Sequence, residues 1–121
     1  MLKEVIGEIT ASKAYKSDGL IAITADEAPS AGEFGDSSSC CGQPAYPNLA
    51  TSGLRHGGGV VGALLLSPLI KGGTTSQEPY NHYSLLRTIE DVFGLGHIGY
   101  AALPSVASFD ASLLNASAAK G

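Results

Sequence analysis

Two short apolar runs constrain the fold of this chain more than any other feature. They cover residues 20–25 and 60–66; Asp18-Gly19 forms a turn signal before the first, and Ser67-Pro68 stops the second. Apolar runs of this length without polar alternation are typical of strands covered on both faces of a parallel sheet. The sequence therefore predicts an α/β fold with two buried, parallel strands. Neither run approaches the roughly 20 residues that cross a bilayer, so no membrane span is expected.

Helical periodicity flanks the two runs. Apolar residues at i, i+3, i+4 and i+7 predict an amphipathic helix over residues 2–12, and the charged residues 13–19 are expected to form a turn. A second helix is predicted from an apolar stripe: Leu85, Leu86, Ile89, Val92 and Phe93. Asn81 is suited to cap its N terminus and Gly94 to end it, with Glu90 and Asp91 on the side that faces solvent.

The remainder of the chain predicts little regular structure. The chain has 16 glycines, and many of them lie with serine and proline in residues 28–58, which we interpret as a long Gly/Ser/Pro loop at the end of the first strand. Residues 115–121 are small and polar and are expected to fray. At 121 residues, the whole chain, 1–121, is expected to belong to one domain.

Charge and cysteine content limit the partners and the compartment. A net charge of −4 and a pI near 5.1, without a basic stripe, argue against a nucleic-acid partner. The acidic N terminus lacks the apolar segment of a secretory signal, so a complete chain would start in the cytoplasm. The two cysteines, Cys40 and Cys41, are adjacent, and bonding to each other would close a strained ring. We expect free thiols, or partners outside this sequence.

Asp26 and Glu27 directly follow the first apolar run and are the first candidates for a site. In an open α/β fold, paired carboxylates at the end of a buried strand lie at the edge where ligands bind. They would repel each other unless a cation or hydrogen-bond donors compensate them. A divalent metal ion is the simplest compensator, with magnesium, manganese or calcium suited to oxygen ligands and zinc a further candidate. The alternative is a solvated strand end without a ligand.

His82 is the second candidate, because it stands in the first turn of the second helix and can face the same sheet edge. Near a metal ion it could act as a ligand, or donate to a phosphoryl oxygen or a leaving group. Its alternative role is capping or packing. His56, in the glycine-rich loop, and His97, beyond the helix, are weaker candidates.

Residues 57–62 match the GxGxxG spelling of a phosphate loop, but they precede a strand, so we interpret them as a flexible strand entry.

A family resemblance runs along most of the chain. It is carried by Thr24-Ala25-Asp26-Glu27, by Cys40-Cys41-Gly42, by the glycine-rich run 57–68 and by the segment 79–91, which contains Pro79-Tyr80-Asn81-His82-Tyr83-Ser84. These motifs resemble the C-terminal part of the bacterial phosphoesterase family, a branch of the alkaline phosphatase superfamily that includes acid phosphatases and phospholipase C-like enzymes.

The resemblance implies a metal-dependent hydrolase of phosphate esters, usually exported, with an alkaline-phosphatase-like α/β sandwich. It assigns the divalent metal ion to Asp26 and Glu27, and it implies that His82 contacts substrate or metal as a catalytic residue. Ala25 replaces a frequent aromatic residue, and Asp36-Ser37 stands where phospholipase-type relatives have Asp-His. These departures favour the acid-phosphatase-like branch.

The same resemblance places the nucleophilic serine or threonine, and a Glu-Asn metal-binding pair, in an N-terminal portion of the family that these residues do not match. We therefore expect a C-terminal segment that holds part of a sandwich and is inactive alone. An alternative is a noncatalytic module that binds metal, or that binds a partner through an exposed sheet edge. A third possibility is an unfolded remnant.

Overall fold

The structure is a computed structural model, and it describes residues 1–29, 31–41 and 57–109, together with residue 113. Helices and strands are mixed along the described chain, which confirms the α/β class. The elements, in chain order, are α1 (Leu2–Ala11), α2 (Lys13–Asp18), β1 (Ile21–Thr24), β2 (Ala63–Leu66), α3 (His82–Val92) and a 3₁₀ helix (Gly99–Ala102).

The chain is divided into two compact units. The first contains α1, α2, β1 and β2, in residues Met1–Thr24 and Ala63–Ser76. The second contains α3 and the 3₁₀ helix, in the described parts of Ala25–Gly62 and Gln77–Asp110. Both segments that carry the candidate site residues therefore belong to the second unit.

The N-terminal helix forms as predicted, but a second helix follows it where a turn was expected. Ser12 has extended backbone angles, φ −68° and ψ 152°, so it ends α1. Its side chain then accepts the N–H of Tyr15 at 3.1 Å and caps α2. A serine at this position satisfies one of the N–H groups that the first turn of a helix leaves unpaired, and this local signal outweighs the charged composition.

The two strands pair with each other in the antiparallel direction. Ile21 lies opposite Leu66, and Thr24 lies opposite Ala63. The prediction of parallel strands is therefore wrong. The prediction of burial is also wrong, because burial along β1 alternates between partly covered and exposed residues. This alternation is typical of an antiparallel pair with one face open to solvent, whereas parallel strands need cover on both faces.

α3 begins and ends as the sequence predicts. The Asn81 side chain accepts the N–H of Ser84 at 3.0 Å, and the Ser84 hydroxyl accepts the N–H of Asn81 at 3.2 Å. This reciprocal pair is a capping box. Phe93 is the C-cap, and Gly94 follows it with φ +63°, a left-handed conformation that glycine adopts without steric cost.

The buried side of α3 is polar. Ser84, Thr88 and Glu90 are its buried residues. The prediction that Glu90 faces solvent is wrong, since the residue is only 4% exposed and its carboxylate accepts the N–H of Ile98 at 3.2 Å. Asp91 is exposed, as expected. The hydrogen bond to Ile98 offsets part of the cost of burying the Glu90 carboxylate.

Hydrogen bonds join α3 to the residues that follow it. The Thr88 hydroxyl accepts the N–H of Phe109 at 2.8 Å. The Arg87 guanidinium donates to the carbonyls of Ala101 and Leu103 at 2.8 and 3.2 Å. These hydrogen bonds hold residues 99–109 against α3.

Apolar burial is small in the described part of the chain. Its buried apolar residues are Ala101 and Val106. None of the residues of α1 is buried, and in α3 the stripe residues Ile89 and Val92 are 45% and 68% exposed. The helical periodicity thus predicted the helices correctly, but the apolar stripes do not form a core.

The predicted loop 28–58 is described only in part. Residues 28, 29, 31–41, 57 and 58 contain no helix or strand, and the other loop residues lie outside the described part of the chain, as do the tail residues 115–121. Among the described helices, none has the length and apolar content required to cross a membrane.

Candidate functional site

The structure brings the acidic pair and His82 together. Asp26 and Glu27 come directly after β1, and both are exposed. His82 is the first residue of α3, and its Nε2 lies 2.8 Å from the backbone carbonyl oxygen of Asp26. The two residues are 56 positions apart in the sequence. Two candidates that the sequence suggested separately are therefore neighbours.

The contact defines the orientation of the His82 ring. A carbonyl oxygen only accepts hydrogen bonds, so Nε2 must carry the proton that it donates to Asp26. In the neutral ring, Nδ1 then carries the lone pair. The capping box at Asn81 fixes the start of α3 and hence the position of His82. In this arrangement His82 contacts the backbone of the acidic pair rather than its carboxylates.

The carboxylate of Asp26 forms a hydrogen bond with the backbone of Glu27. One of its oxygens, Oδ1, accepts the N–H of Glu27 at 3.0 Å. Within the described residues, no group of three or more His, Cys, Asp and Glu side chains is arranged to hold a metal ion. Two adjacent carboxylates have the chemistry that suits a hard divalent cation, but the described residues do not complete a ligand set around Asp26 and Glu27.

Residues 57–62, the part of the glycine-rich run that precedes β2, lie beside the acidic pair. The N–H of Ala28 donates to the carbonyl of Gly58 at 2.7 Å, and a Cβ placed on Gly58 would lie 3.6 Å from the Cβ of Glu27. Gly59 has φ +74°. The run leads into β2 rather than into a helix, which agrees with our interpretation of residues 57–62 as a strand entry and not a phosphate loop.

Asp36 joins the segments beside the acidic pair, and the sequence assigned it no role. Its carboxylate accepts the N–H of Ser38 at 2.8 Å and the N–H of Val60 at 2.8 Å. These bonds, led by the one from Ser38, hold the pKa of Asp36 below its ordinary value of 3.8. An aspartate two residues before a bonded N–H is an Asx turn, so the local bond could have been inferred from sequence. The bond to Val60 could not.

Cys40 and Cys41 form a disulfide with each other. The expectation of free thiols or of outside partners is therefore wrong for this structure. Cys41 has φ +66°, a backbone conformation that is uncommon for residues other than glycine and that accompanies ring closure here. The Cys40 sulfur lies 3.6 Å from the carbonyl oxygen of Tyr80, and the Cys41 sulfur lies 2.8 Å from that of Pro79. A disulfide sulfur carries no proton, so these are S···O contacts rather than hydrogen bonds.

Of the other two histidines, the structure describes His97, which bonds to a different carboxylate. His97 lies with its Nε2 2.7 Å from the Asp91 carboxylate. Hydrogen bonding from His97, followed by that from Ser108, holds the pKa of Asp91 below its ordinary value of 3.8. His56 lies outside the described residues. His82 is therefore the histidine that the structure associates with Asp26.

Comparison with known proteins assigns the family. The sequence profile described as the Phosphoesterase family matches residues 1–96, a span that includes the acidic pair, Asp36, the glycine-rich run and His82. The chain belongs to the Phosphoesterase family. No curated protein and no solved structure shows a significant match to it. Family membership suggests a hydrolase of phosphoesters.

Proposed function

We propose that Asp26, Glu27 and His82 belong to the catalytic site of a metal-dependent, acid-phosphatase-like phosphoesterase. The substrate class is a phosphate ester, and the cofactor is a divalent metal ion bound by the two carboxylates. Family membership supports the reaction class. The contact from His82 Nε2 to the Asp26 carbonyl at 2.8 Å carries the assignment of the site, because it joins the candidate residues across 56 positions of sequence.

The chemistry of the acidic pair fits a hard cation. Carboxylate oxygens are the ligands preferred by magnesium, manganese and calcium, and two adjacent carboxylates offset the charge of one divalent ion. The remaining ligand positions would be filled by water, by substrate oxygens or by groups outside the described residues. A bound divalent ion supplies charge neutralisation at phosphoryl oxygens and lowers the pKa of a nucleophile.

The proposed role of His82 follows from its ring orientation. Nε2–H remains on the Asp26 carbonyl and holds the backbone of the acidic pair. When the ring takes up a second proton, Nδ1–H becomes a donor that can bind a phosphoryl oxygen. His82 would then connect the metal-binding residues to the substrate.

We further propose that these 121 residues do not hydrolyse substrate on their own, since no nucleophile is assigned among them. In this proposal the described α/β elements form part of a larger alkaline-phosphatase-like sandwich. A sheet of two strands is marginal in isolation, which supports the idea that further structure completes it.

Metal binding and turnover test the proposal separately. Titration of the purified chain with Mn²⁺, followed by calorimetry, should show one site. Asp26→Asn and Glu27→Gln should each weaken binding by at least the roughly 10- to 100-fold found when ligand-orienting groups are removed, because each replaces a charged carboxylate ligand by a neutral amide. Glu33→Gln is the matched control: it removes one negative charge from an exposed residue of the same unit and should leave the affinity unchanged.

The turnover assay uses p-nitrophenyl phosphate with added Mn²⁺, Ca²⁺ or Zn²⁺. We expect no hydrolysis above the metal-only rate. Metal-dependent turnover that Asp26→Ala abolishes would disprove inactivity while supporting the site. Mn²⁺ binding that survives both Asp26→Asn and Glu27→Gln would disprove the site itself.

A noncatalytic module is the second candidate, and the two-stranded sheet favours it. Each strand of the described pair has one edge that the other strand does not cover, and the edge of a sheet is where a strand from another chain can add. Concentration-dependent association in sedimentation experiments would support this function. Far-UV circular dichroism distinguishes both candidates from an unfolded remnant.

The compartment is a related proposal. The adjacent disulfide supports export, since disulfides persist in oxidising compartments and are rare in the cytosol. Alkylation of thiols during cell lysis, followed by mass spectrometry, should find Cys40 and Cys41 unlabelled. Labelling of both residues would support the cytoplasmic alternative.

A further inference from the structure

Asp36 connects segments of the second unit that are distant in the sequence. One carboxylate oxygen accepts the N–H of Ser38, and the other accepts the N–H of Val60, which is 24 residues away. The backbone N–H of Asp36 donates to the carbonyl of Pro29 at 2.9 Å. One residue therefore bonds to the segment that follows the acidic pair and to the segment that precedes β2.

The segment bonded to Asp36 is the one that lies against the acidic pair. Gly57 and Gly59 donate their N–H groups to the carbonyls of Ser37 and Ser38 at 2.8 and 3.0 Å. Between them, the Gly58 carbonyl accepts the N–H of Ala28 at 2.7 Å. Residues 57–60 are thus attached to residues 36–38 on one side and to the acidic pair's neighbour on the other.

We propose that Asp36 is a positioning residue for the acidic pair: its carboxylate holds residues 57–60 against Ala28 and so fixes the direction of the Asp26 and Glu27 side chains beside His82. Asp36 acts through the backbone, since both of its carboxylate oxygens accept backbone N–H groups. The inference rests on the proposed metal-binding function of the pair. Asp36 would hold Asp26 and Glu27 in this geometry before a ligand binds.

A carboxylate suits this role because each of its two oxygens accepts one backbone N–H group. An asparagine at position 36 has one acceptor oxygen and an NH₂ group, so one of the Ser38 and Val60 N–H groups would face another donor. Where the N–H of Val60 is the one that loses its acceptor, segment 57–60 loses its bond to the side chain of residue 36 and keeps the backbone bonds to Ser37, Ser38 and Ala28. A looser segment permits more orientations of Glu27, and ordering them again on binding costs affinity.

The test compares Mn²⁺ affinity in the full chain and in Asp36→Asn. We expect affinity to fall about 10- to 100-fold, the range found when groups that orient metal ligands are removed. Asp36→Glu, which keeps both oxygens, should recover part of this loss. Glu33→Gln controls for charge. Gly94→Ala, which introduces a strained residue at the end of α3 in the same unit, controls for lowered stability and should leave affinity unchanged.

A measurement on the unmodified chain keeps the proposal testable if Asp36→Asn does not fold. Coupling between two sites is reciprocal, so Mn²⁺ should slow hydrogen exchange at the amides of Ala28 and Val60. An unmodified chain that does not bind Mn²⁺ overturns the proposed function, and this inference with it. A chain that binds Mn²⁺ without slower exchange at these amides, or with equal affinity in a folded Asp36→Asn, overturns the role of Asp36 alone.

Discussion

Substitution of Gly59 by alanine tests the packing that holds the acidic pair. Gly59 has φ +74°, and a Cβ there would lie 2.6 Å from the Asp36 carbonyl oxygen and 2.7 Å from the Ala28 Cβ. A left-handed conformation costs a residue with a side chain about 1–2 kcal/mol. Overpacking against neighbours that must shift adds about 1–3 kcal/mol. We expect Gly59→Ala to lower the free energy of unfolding by about 2–5 kcal/mol.

Two other glycines of the same unit separate the two contributions. Gly94 has φ +63° and open space where an added methyl group would lie, so Gly94→Ala should cost only the conformational term of about 1–2 kcal/mol. Gly62 lacks a left-handed φ and also has nothing within 4 Å of that position, so Gly62→Ala should be neutral or stabilising by up to about 1 kcal/mol.

Urea denaturation followed by far-UV circular dichroism measures all three variants, since the chain has no tryptophan for fluorescence. The expected order of destabilisation is Gly59→Ala, then Gly94→Ala, then Gly62→Ala. If Gly59→Ala costs no more than Gly94→Ala, the close contact with Asp36 and Ala28 does not exist in solution. Residues 57–60 would then not support the acidic pair.

Two further predictions concern α3. Asn81→Ala should destabilise the chain by about 1 kcal/mol because it removes the N-cap, whereas Asn81→Ser should retain most of the stability; equal urea midpoints for all three proteins would contradict the cap. Asp91 has a lowered pKa in the folded chain, chiefly through its hydrogen bond from His97, so its contribution to stability is present above its ordinary pKa of 3.8 and is lost as pH falls through the folded value. Melting temperatures of the unmodified chain and Asp91→Asn should therefore differ at neutral pH and converge in acid, and a constant difference would refute the role of this carboxylate.

Local signals in the sequence predicted much of the secondary structure. The capping box at Asn81 and Ser84 and the glycine after the C-cap depend on residues within one turn of each other, so their consequences are visible in a short window. The cap of α2 is equally local, since Ser12 acts within one turn, so this helix could have been predicted where a turn was expected. The acidic pair was identified for its place directly after an apolar run.

The direction of the strands could not be obtained in this way. An apolar run shows that a strand could be buried. Whether its two faces are buried depends on which other elements pack against them. Here β1 is half exposed and pairs with β2 in the antiparallel direction. In this direction the chain leaves β1 near the point where it later enters β2, since Thr24 pairs with Ala63. A parallel pair would have placed those two ends apart.

The sequence by itself determined the family, the helices α1 and α3, and the acidic residues that we propose to bind a metal ion. Only the tertiary structure decided that His82 lies on the Asp26 carbonyl, that Asp36 holds Val60, and that the adjacent cysteines bond to each other. The first two contacts join residues 56 and 24 positions apart. Such contacts are set by how the whole chain closes its loops, and no local propensity encodes that outcome.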